Sequence, residues 1–312
     1  MATAFINEVL VCFPESQIDL VVKSGFEGLP LPHRGQIRPF DKRTISAYQY
    51  GRQLREEGYD RFYVLPPSFS SALMAFGSRA TLRYGYRGSL RSLLLNRAKS
   101  YRIKHRDQHL VSEYLQLLED EGCAADTKPG LVIDDDWIAA TLSGLSETLP
   151  RPYVSIAPGA IYGPAKQWPP AYFQELLAML DRAGISTVII GTAADYDLGQ
   201  QILGDATRAF NLCGKTSLNQ LIAVLAQSQL LISNDSGTMH IMAALQMPQI
   251  AVFGSTSTVW TGPVNEKAEV ISLQLDCSPC FKRECPLGHT DCLNRISPQM
   301  VWERVETILN QR

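Results

Sequence analysis

The sequence predicts an α/β protein, because strand-like and helix-like segments alternate along the chain and its clearest strands are almost uninterruptedly apolar. Strands of that kind are typical of parallel sheets that carry helices on both faces. The length of 312 residues fits two domains of ordinary size, and an apolar fraction of 45% is enough for each domain to bury a core.

The N-terminal half begins with an expected helix over residues 4–12 and a β-branched strand over 18–23. A polar helix then ends at Gly58, a typical C-capping residue, and the strand after it is stopped by Pro66 and Pro67. The remaining expected elements of this half are helices over 47–58, 70–76 and 107–121 and strands over 61–65 and 81–84.

The C-terminal half has the more regular βαβα pattern. A linker near residues 146–152 separates it from the first half, which gives expected domains over 1–148 and 149–312. Its expected strands are 153–157, 186–190, 230–233, 249–253 and 269–273, and its expected helices are 170–183, 195–203, 217–227 and 238–245. The sequence leaves two alternatives for the closing helix over 298–309, which packs either within this domain or back on the N-terminal domain.

Composition argues against several classes of function. A formal net charge of −2 does not favour nucleic-acid binding, and no apolar run approaches the ~20 residues of a membrane span. Residues 1–14 lack the basic start and cleavage site of a secretion signal, and seven cysteines, an odd number, do not suit a secreted disulfide framework. We therefore expect a cytoplasmic protein without a nucleic-acid partner.

The most informative segment, residues 230–240, reads as an apolar strand, a turn of small polar residues and the start of a helix. Such a helix start favours phosphates, and a strand–turn–helix unit of a parallel sheet borders a ligand crevice. The candidate binding residues are Asp235, as an acceptor for sugar hydroxyls, and Ser236, Gly237, Thr238 and His240, near a diphosphate. An ordinary loop in which Asp235 or Ser236 caps the helix is the alternative.

Four other loops are expected at the same edge of the sheet, and three of them directly follow expected strands. In the loop over 158–169, the turn at Gly159 and Ala160 lets the backbone approach a ligand, and Lys166 is a mobile cation suited to phosphate. The other loops contribute Lys215 and Thr216, which could border a base, the hydroxyl-rich segment 254–257, and Asp195, for which helix capping is favoured over ribose binding. Together these loops predict a pocket for a nucleotide diphosphate.

A cluster of four cysteines has the spacing C-x2-C-x4-C-x6-C: Cys277, Cys280, Cys285 and Cys292. Four thiolates this close suit a structural zinc site, but the spacing lacks the usual pair of zinc knuckles. Free thiols and a local disulfide therefore stay open beside the zinc site. Cys12 and Trp260 are expected to be packing residues.

A basic cluster lies in the N-terminal half: Arg79, Arg83, Arg87, Arg91, Arg97, Lys99, Arg102, Lys104, His105 and Arg106. It suits an anionic acceptor or membrane surface, although a charge run is also typical of a solvated face. The interleaved Tyr84, Tyr86 and Tyr101 favour a ligand, and Arg83 and Arg87 are the candidate acceptor-binding residues.

Three segments, 158–169, 233–240 and 277–298, resemble those of the family 9 glycosyltransferases, the lipopolysaccharide heptosyltransferases. The motifs that carry the resemblance are Pro158-Gly159-Ala160, Gly163-Pro164-Ala165-Lys166-Gln167-Trp168-Pro169, Asn234-Asp235-Ser236-Gly237-Thr238-Met239-His240 and Val252-Phe253-Gly254-Ser255-Thr256. The resemblance implies the GT-B fold, with two Rossmann-like domains facing a cleft, the first for the acceptor and the second for the donor. It also implies an inverting, metal-independent transfer of heptose from ADP-heptose to the lipopolysaccharide inner core, without a cofactor and with peripheral contact to the inner membrane face.

The resemblance also implies roles for individual residues, with Lys166 and His240 as the catalytic pair. Lys166 would hold the donor diphosphate and Asp235 the donor sugar, while Ser236, Gly237, Thr238 and His240 would surround the phosphates, Lys215 and Thr216 would border the adenine, and Gly159 and Ala160 would line the pocket wall. Transfer from another nucleotide sugar and non-catalytic binding of a nucleotide sugar stay open. A dinucleotide-dependent oxidoreductase is disfavoured, because no G-x-G-x-x-G follows an expected strand.

One departure from the family pattern concerns the N-terminus. Members begin with a strand and a Gly-rich loop ending in Gly-Asp, whose aspartate is the expected general base, whereas residues 1–10 resemble the helix that follows this loop. From the sequence we therefore expect a chain that binds the donor but transfers the sugar poorly.

Overall fold

The chain divides into two units, Met1–Thr127 and Lys128–Arg312, in a computed structural model that describes residues 1–100, 106–124 and 128–311. Each unit combines parallel strands with helices, so the predicted α/β class is confirmed. Among the described residues, none of the helices has both the length and the apolar composition needed to cross a bilayer.

The first unit contains two small parallel sheets. Its helices are α1 (Ala2–Cys12), α2 (Ala47–Leu54), α3 (Phe69–Ser78) and α4 (Leu110–Leu115), and its strands are β1 (Leu20–Lys23), β2 (Ile37–Phe40), β3 (Arg61–Val64), β4 (Leu82–Tyr86) and β5 (Arg97–Lys99). β1 pairs with β2, and β4 lies between β3 and β5. The strands β2 and β5 lack a predictive pattern, because β2 contains Pro39 and β5 is a three-residue strand with two basic residues. The expected helix over 107–121 is shorter, since α4 passes into a 3₁₀ turn at Gln116–Glu121.

Three residues of the first unit differ from the expectation. Cys12 is not a simple packing residue, because it forms a disulfide with Cys123. Tyr84 stacks on Tyr63, and Tyr86 donates its hydroxyl hydrogen to a backbone carbonyl. Both tyrosines are buried, so they belong to the core of this unit rather than to a ligand-binding surface.

The second unit is built on one six-stranded parallel sheet. Its strands are β6 (Tyr153–Ala157), β7 (Ser186–Ile189), β8 (Ala209–Asn211), β9 (Leu230–Asn234), β10 (Gln249–Val252) and β11 (Ala268–Ile271), and its helices are α5 (Asp135–Leu142), α6 (Pro170–Arg182), α7 (Tyr196–Leu203), α8 (Leu218–Ala226), α9 (Gly237–Ala244), α10 (Thr258–Thr261), α11 (Asp291–Asn294) and α12 (Pro298–Asn310). The strands lie in the order β8-β7-β6-β9-β10-β11. The five expected strands are confirmed, and β8 is added at one edge.

This sheet is buried on both faces, as its apolar strands predict. Val154 and Ile156 of β6 belong to the apolar cluster on one face, whereas Tyr153 and Ala157 belong to the cluster on the other, because successive side chains of a strand alternate. The closing helix α12 packs against α6 of its own unit. Helix α5 packs against α8, so its residues join the second unit and the boundary falls earlier than the expected residue 148.

Close packing of α2 against α3 in the first unit depends on glycine. A Cβ atom built on Gly77 would lie 2.7 Å from the backbone oxygen of Tyr48 and 3.2 Å from the backbone nitrogen of Arg52. Backbone atoms cannot swing away as a side chain can, so a methyl group here would force the two helices apart.

We therefore expect Gly77→Ala to lower the free energy of unfolding. Alanine gains about 1 kcal/mol in helix propensity over glycine, but overpacking costs roughly 1–3 kcal/mol. We expect the cost to exceed the gain here, because the methyl group would displace backbone atoms. Urea denaturation followed by circular dichroism measures the change. Gly144→Ala is the control, because its methyl would only reach ordinary contact, 3.5 Å from Gln220 Nε2. Equal stability of the two variants would contradict the prediction.

Candidate functional site

The strand order of the second unit creates a crevice between β6 and β9. The chain leaves β6 towards β7 and β8 on one side, and then returns to place β9 on the other side of β6. Loops that follow β6 and β9 therefore diverge at the carboxyl ends of these strands, and open α/β sheets bind ligands at such a switch point. The predicted binding loops, 158–169 and 235–237, flank this position.

A buried ion pair joins the two loops at the switch point. The Lys166 Nζ atom lies 2.5 Å from Asp235 Oδ2, with only 13% and 4% of the two side chains exposed. The hydroxyl of Thr256, from the loop after β10, donates to the same Asp235 oxygen at 2.5 Å. Because desolvation offsets most of the attraction within a buried ion pair, such a pair contributes little to stability, which favours a binding role for it here.

Helix α9 begins beside this ion pair without a side-chain cap. Ser236 occupies the N-cap position, but its hydroxyl makes no capping bond and has no hydrogen-bond partner among the described residues. Asp235 instead accepts from Lys166 and Thr256, so neither Asp235 nor Ser236 caps the helix as the alternative interpretation expected. The first-turn N–H groups of a helix carry a partial positive charge, and the uncapped start of α9 is therefore suited to an anion. Thr238 and His240 lie half-buried in this first turn, and Gly237 is exposed.

The Lys166 loop is tied to β9 by a residue that the sequence did not single out. The Asn234 side chain, fully buried, accepts from the backbone N–H of Trp168 at 2.9 Å and donates to the backbone oxygen of Pro158 at 2.7 Å. The sequence marked Thr256 only as part of a hydroxyl-rich segment. Partners of this kind come from loops far apart in sequence, so only the order of strands could have identified them.

The loops after β7 and β8 border the same edge of the sheet. The carboxylate of Asp195 accepts from the backbone N–H and hydroxyl of Thr192 at 2.8 and 2.6 Å, which completes the capping box of the 3₁₀ turn Ala193–Asp195. The expected capping of the following helix is wrong, because the Asp195 side chain makes no capping bond to α7. A Cβ atom on Gly159 would lie 2.6 Å from Asp195 Oδ1, which explains the glycine in this turn. Lys215 pairs with Glu147 at 2.7 Å, and Thr216 is half-buried directly after it.

The four clustered cysteines line one small cavity together with Ala165 and Ser255. All four are free thiols in this structure. Over the described ranges, no group of three or more histidine, cysteine or acidic side chains is arranged to hold a metal ion. Their segment instead supports the binding loops, because Phe281 N–H donates to the Ser255 carbonyl at 2.7 Å and Ala165 N–H donates to the Arg283 carbonyl at 3.0 Å.

The candidate acceptor residues of the first unit have different surroundings. Arg83 is half-buried and donates to the backbone oxygens of Leu94 and Ala80 at 3.0 and 2.7 Å. Its guanidinium therefore makes structural hydrogen bonds within the first unit. Arg87 is exposed and lines a cavity of about 530 Å³ that also contains Arg97 and Lys99. Arg102, Lys104 and His105 of the basic cluster, with Tyr101, lie outside the described residues.

Several known proteins are similar to this chain in both sequence and fold. Residues 47–291 match glycosyltransferase family 9 (heptosyltransferase). The chain is 33% identical over 327 residues to lipopolysaccharide heptosyltransferase 2 of Salmonella typhimurium, an alignment that covers 100% of this chain and 89% of that protein. It is similar to the structure of E. coli ADP-heptose lipopolysaccharide heptosyltransferase II, with a TM-score of 0.85 and 30% identity over 99% of this chain and 94% of the other. A structure of an E. coli heptosyltransferase with ADP shares the fold, with a TM-score of 0.76 and 21% identity over 98% and 95% of the two chains.

These likenesses, with the switch-point site, define the chain as a glycosyltransferase of the GT-B fold. More specifically, it belongs to glycosyltransferase family 9, the heptosyltransferases. The predicted family and fold class are therefore confirmed.

Two cysteines of the second unit are expected to differ in reactivity. Backbone N–H groups, that of Thr290 above all, donate to the Cys285 sulfur and hold its pKa below the ordinary value. Burial raises the pKa of Cys213 to about 12. Because the thiolate is the nucleophile, iodoacetamide near neutral pH should alkylate Cys285 well before Cys213. Peptide mass spectrometry over time measures both rates, and equal rates would contradict the prediction.

Proposed function

We propose that this chain transfers L-glycero-D-manno-heptose from ADP-heptose to the inner core of lipopolysaccharide, with inversion at the anomeric carbon and without a metal ion. The observation that carries the proposal is the buried Lys166–Asp235 pair beside the uncapped start of α9. It places a cation, a carboxylate and free backbone donors together at the switch point of a family 9 fold. The proposal is also supported by the 30% identity to E. coli ADP-heptose lipopolysaccharide heptosyltransferase II, over 99% of this chain and 94% of that protein.

The proposed donor complex assigns one task to each group at the switch point. Lys166 and the start of α9 bind the diphosphate, because both present positive charge and N–H donors. Asp235 accepts hydrogen bonds from the sugar hydroxyls, and the hydroxyl of Ser236 gains the partner that it otherwise lacks among the described residues. Lys215 and Thr216 border the adenine, and Gly159 and Ala160 line the wall of the pocket.

Rate enhancement follows from charge that develops on the leaving group. A base removes the proton of the acceptor hydroxyl as its oxygen attacks the anomeric carbon from the side opposite to ADP. The bond to the diphosphate oxygen breaks, and the negative charge grows on that oxygen. Lys166, His240 and the α9 N-terminus stabilise this charge more strongly in the transition state than in the ground state.

The acceptor half of the proposal depends on the basic cavity of the first unit. Arg87 and Arg97 line this cavity, and the Nε–H of Arg87 donates to the Ala98 carbonyl at 3.1 Å. Lys99 contributes less free charge, because it lies 3.4 Å from both Glu119 and Asp120. The arginines suit an anionic, phosphorylated or carboxylated acceptor, and an acceptor anchored in a membrane would bring this surface to the inner membrane face.

Calorimetric titration with ADP-heptose, ADP, UDP-glucose and NAD tests the donor. We expect ADP-heptose and ADP to bind and UDP-glucose and NAD not to bind, with binding unchanged by EDTA. Binding of UDP-glucose in preference to ADP-heptose would refute the proposed donor. For inversion, NMR of the product should show an anomeric configuration opposite to that of the donor.

Lys166→Met removes the charge at the switch point while nearly keeping the side-chain length. We expect kcat to fall about 10- to 1,000-fold, which corresponds to roughly 1.4–4 kcal/mol of transition-state stabilisation by one electrostatic contact. Initial rates with saturating donor measure the effect. Lys267→Met, which changes an exposed lysine of the same unit, is the matched control and should retain the wild-type kcat. An unchanged kcat in Lys166→Met would remove this lysine from the mechanism.

A further inference from the structure

We propose that Asn234 is a positioning residue for sugar transfer, because its side-chain amide ties both ends of the Lys166 loop to the tip of β9. The inference deepens the proposed function, since it rests on the donor-binding role of Lys166 and Asp235. It assigns to Asn234 the spacing of these two groups rather than any contact with the substrate.

One amide holds the loop at two points. Asn234 Oδ1 accepts from Trp168 N–H at 2.9 Å, at the end of the loop, and Nδ2 donates to the Pro158 carbonyl at 2.7 Å, at its start. Lys166 lies two residues before Trp168, and Asp235 directly follows Asn234. The Asn234 amide therefore connects the two chain segments that carry Lys166 and Asp235, whose side chains lie 2.5 Å apart.

The chemistry of the position allows few replacements. A side chain must offer one donor and one acceptor at the ends of the same short planar group, which an amide does. An ionised carboxylate offers only acceptors and would face the Pro158 carbonyl with a second oxygen. An aliphatic side chain would leave the Trp168 N–H and the Pro158 carbonyl unpaired. Because unpaired buried polar groups are unfavourable, we expect the loop to shift until these groups find other partners.

The second unit provides a matched control at the end of β8. Asn211 is also buried, its Oδ1 accepts from Cys213 N–H at 3.0 Å, and its Nδ2 donates to Gln200 Oε1 at 2.8 Å. Asn211 does not touch the Lys166 loop through these bonds. Substitution of Asn211 also removes the hydrogen bonds of a buried amide, but it leaves the connection between β9 and the Lys166 loop unchanged.

Hydrogen exchange without any nucleotide sugar tests the positioning directly. In Asn234→Leu, we expect exchange in residues 159–168 to become at least about tenfold faster, because the Trp168 N–H loses its acceptor and the loop opens more often. Asn211→Leu should leave this segment at the wild-type rate. Unchanged exchange in Asn234→Leu, or equal acceleration in both variants, would overturn the proposal. Since no donor is present, a wrong donor assignment cannot produce either result.

The pH dependence of Asn234→Asp gives a second test that does not depend on the Leu variants folding. Protonated, the introduced carboxyl can still donate to the Pro158 carbonyl; ionised, it repels that oxygen. We expect kcat relative to wild type to be about 10- to 100-fold lower at alkaline pH and to recover as pH falls, since small misplacements of catalytic groups have effects of this size. The neighbouring charged side chains, Lys166 and Asp235, are present in both proteins, so the pH profile of the wild type is the reference for this ratio. A ratio that does not change with pH, or the same change in Asn211→Asp, would overturn the proposal.

Discussion

The crossover between β6 and β9 is the constraint on which the site depends. Parallel strands direct their carboxyl ends to one edge, but neighbouring loops usually pack against each other and leave no room for a ligand. Here the chain turns away from β6 in one direction and away from β9 in the other. Lys166 and Asp235 reach across the gap that this produces, so the backbone topology brings together two residues that are far apart in sequence.

Four polar side chains at this gap are paired with one another or with the flanking loop: Lys166, Asp235, Thr256 and Asn234. Lys166 and Thr256 both contact one oxygen of Asp235, and the Asn234 amide uses one donor and its acceptor on the flanking loop. A buried polar group without a partner has a high energetic cost, and this mutual pairing avoids that cost. In the proposed complex, Lys166 exchanges a carboxylate for a diphosphate and Asp235 exchanges an ammonium for sugar hydroxyls. The number of paired groups is then conserved, so donor binding need not leave a buried charge uncompensated.

Periodicity predicted the second unit better than the first. The strands β6, β9 and β10 are buried along their whole length, and helix α8 begins with a capping box, so these elements have a strong local signal. The strand β2 has no such signal, since Pro39 interrupts it and only one neighbour pairs with it. For Tyr84 and Tyr86, the predicted contact with a ligand was wrong because their local sequence is ambiguous. An aromatic residue among arginines suits a ligand or a core equally well, and only their contacts with Tyr63 and Glu113 decide between the two.

The cysteine segment shows why part of the site could not be inferred from motifs. Residues 277–296 contain little regular structure, and their spacing suggested a metal or thiol chemistry of their own. In the structure, the same stretch donates and accepts backbone hydrogen bonds at the loops after β6 and β10, and Ile296 O accepts from the Trp168 indole at 2.8 Å. These bonds join the segment to the loop that carries Lys166 and to the loop that carries Thr256. The segment therefore connects the loops that follow β6 and β10. The identity of the side chains at Cys277–Cys292 does not predict this connection, because the bonds are made by the backbone and by Trp168.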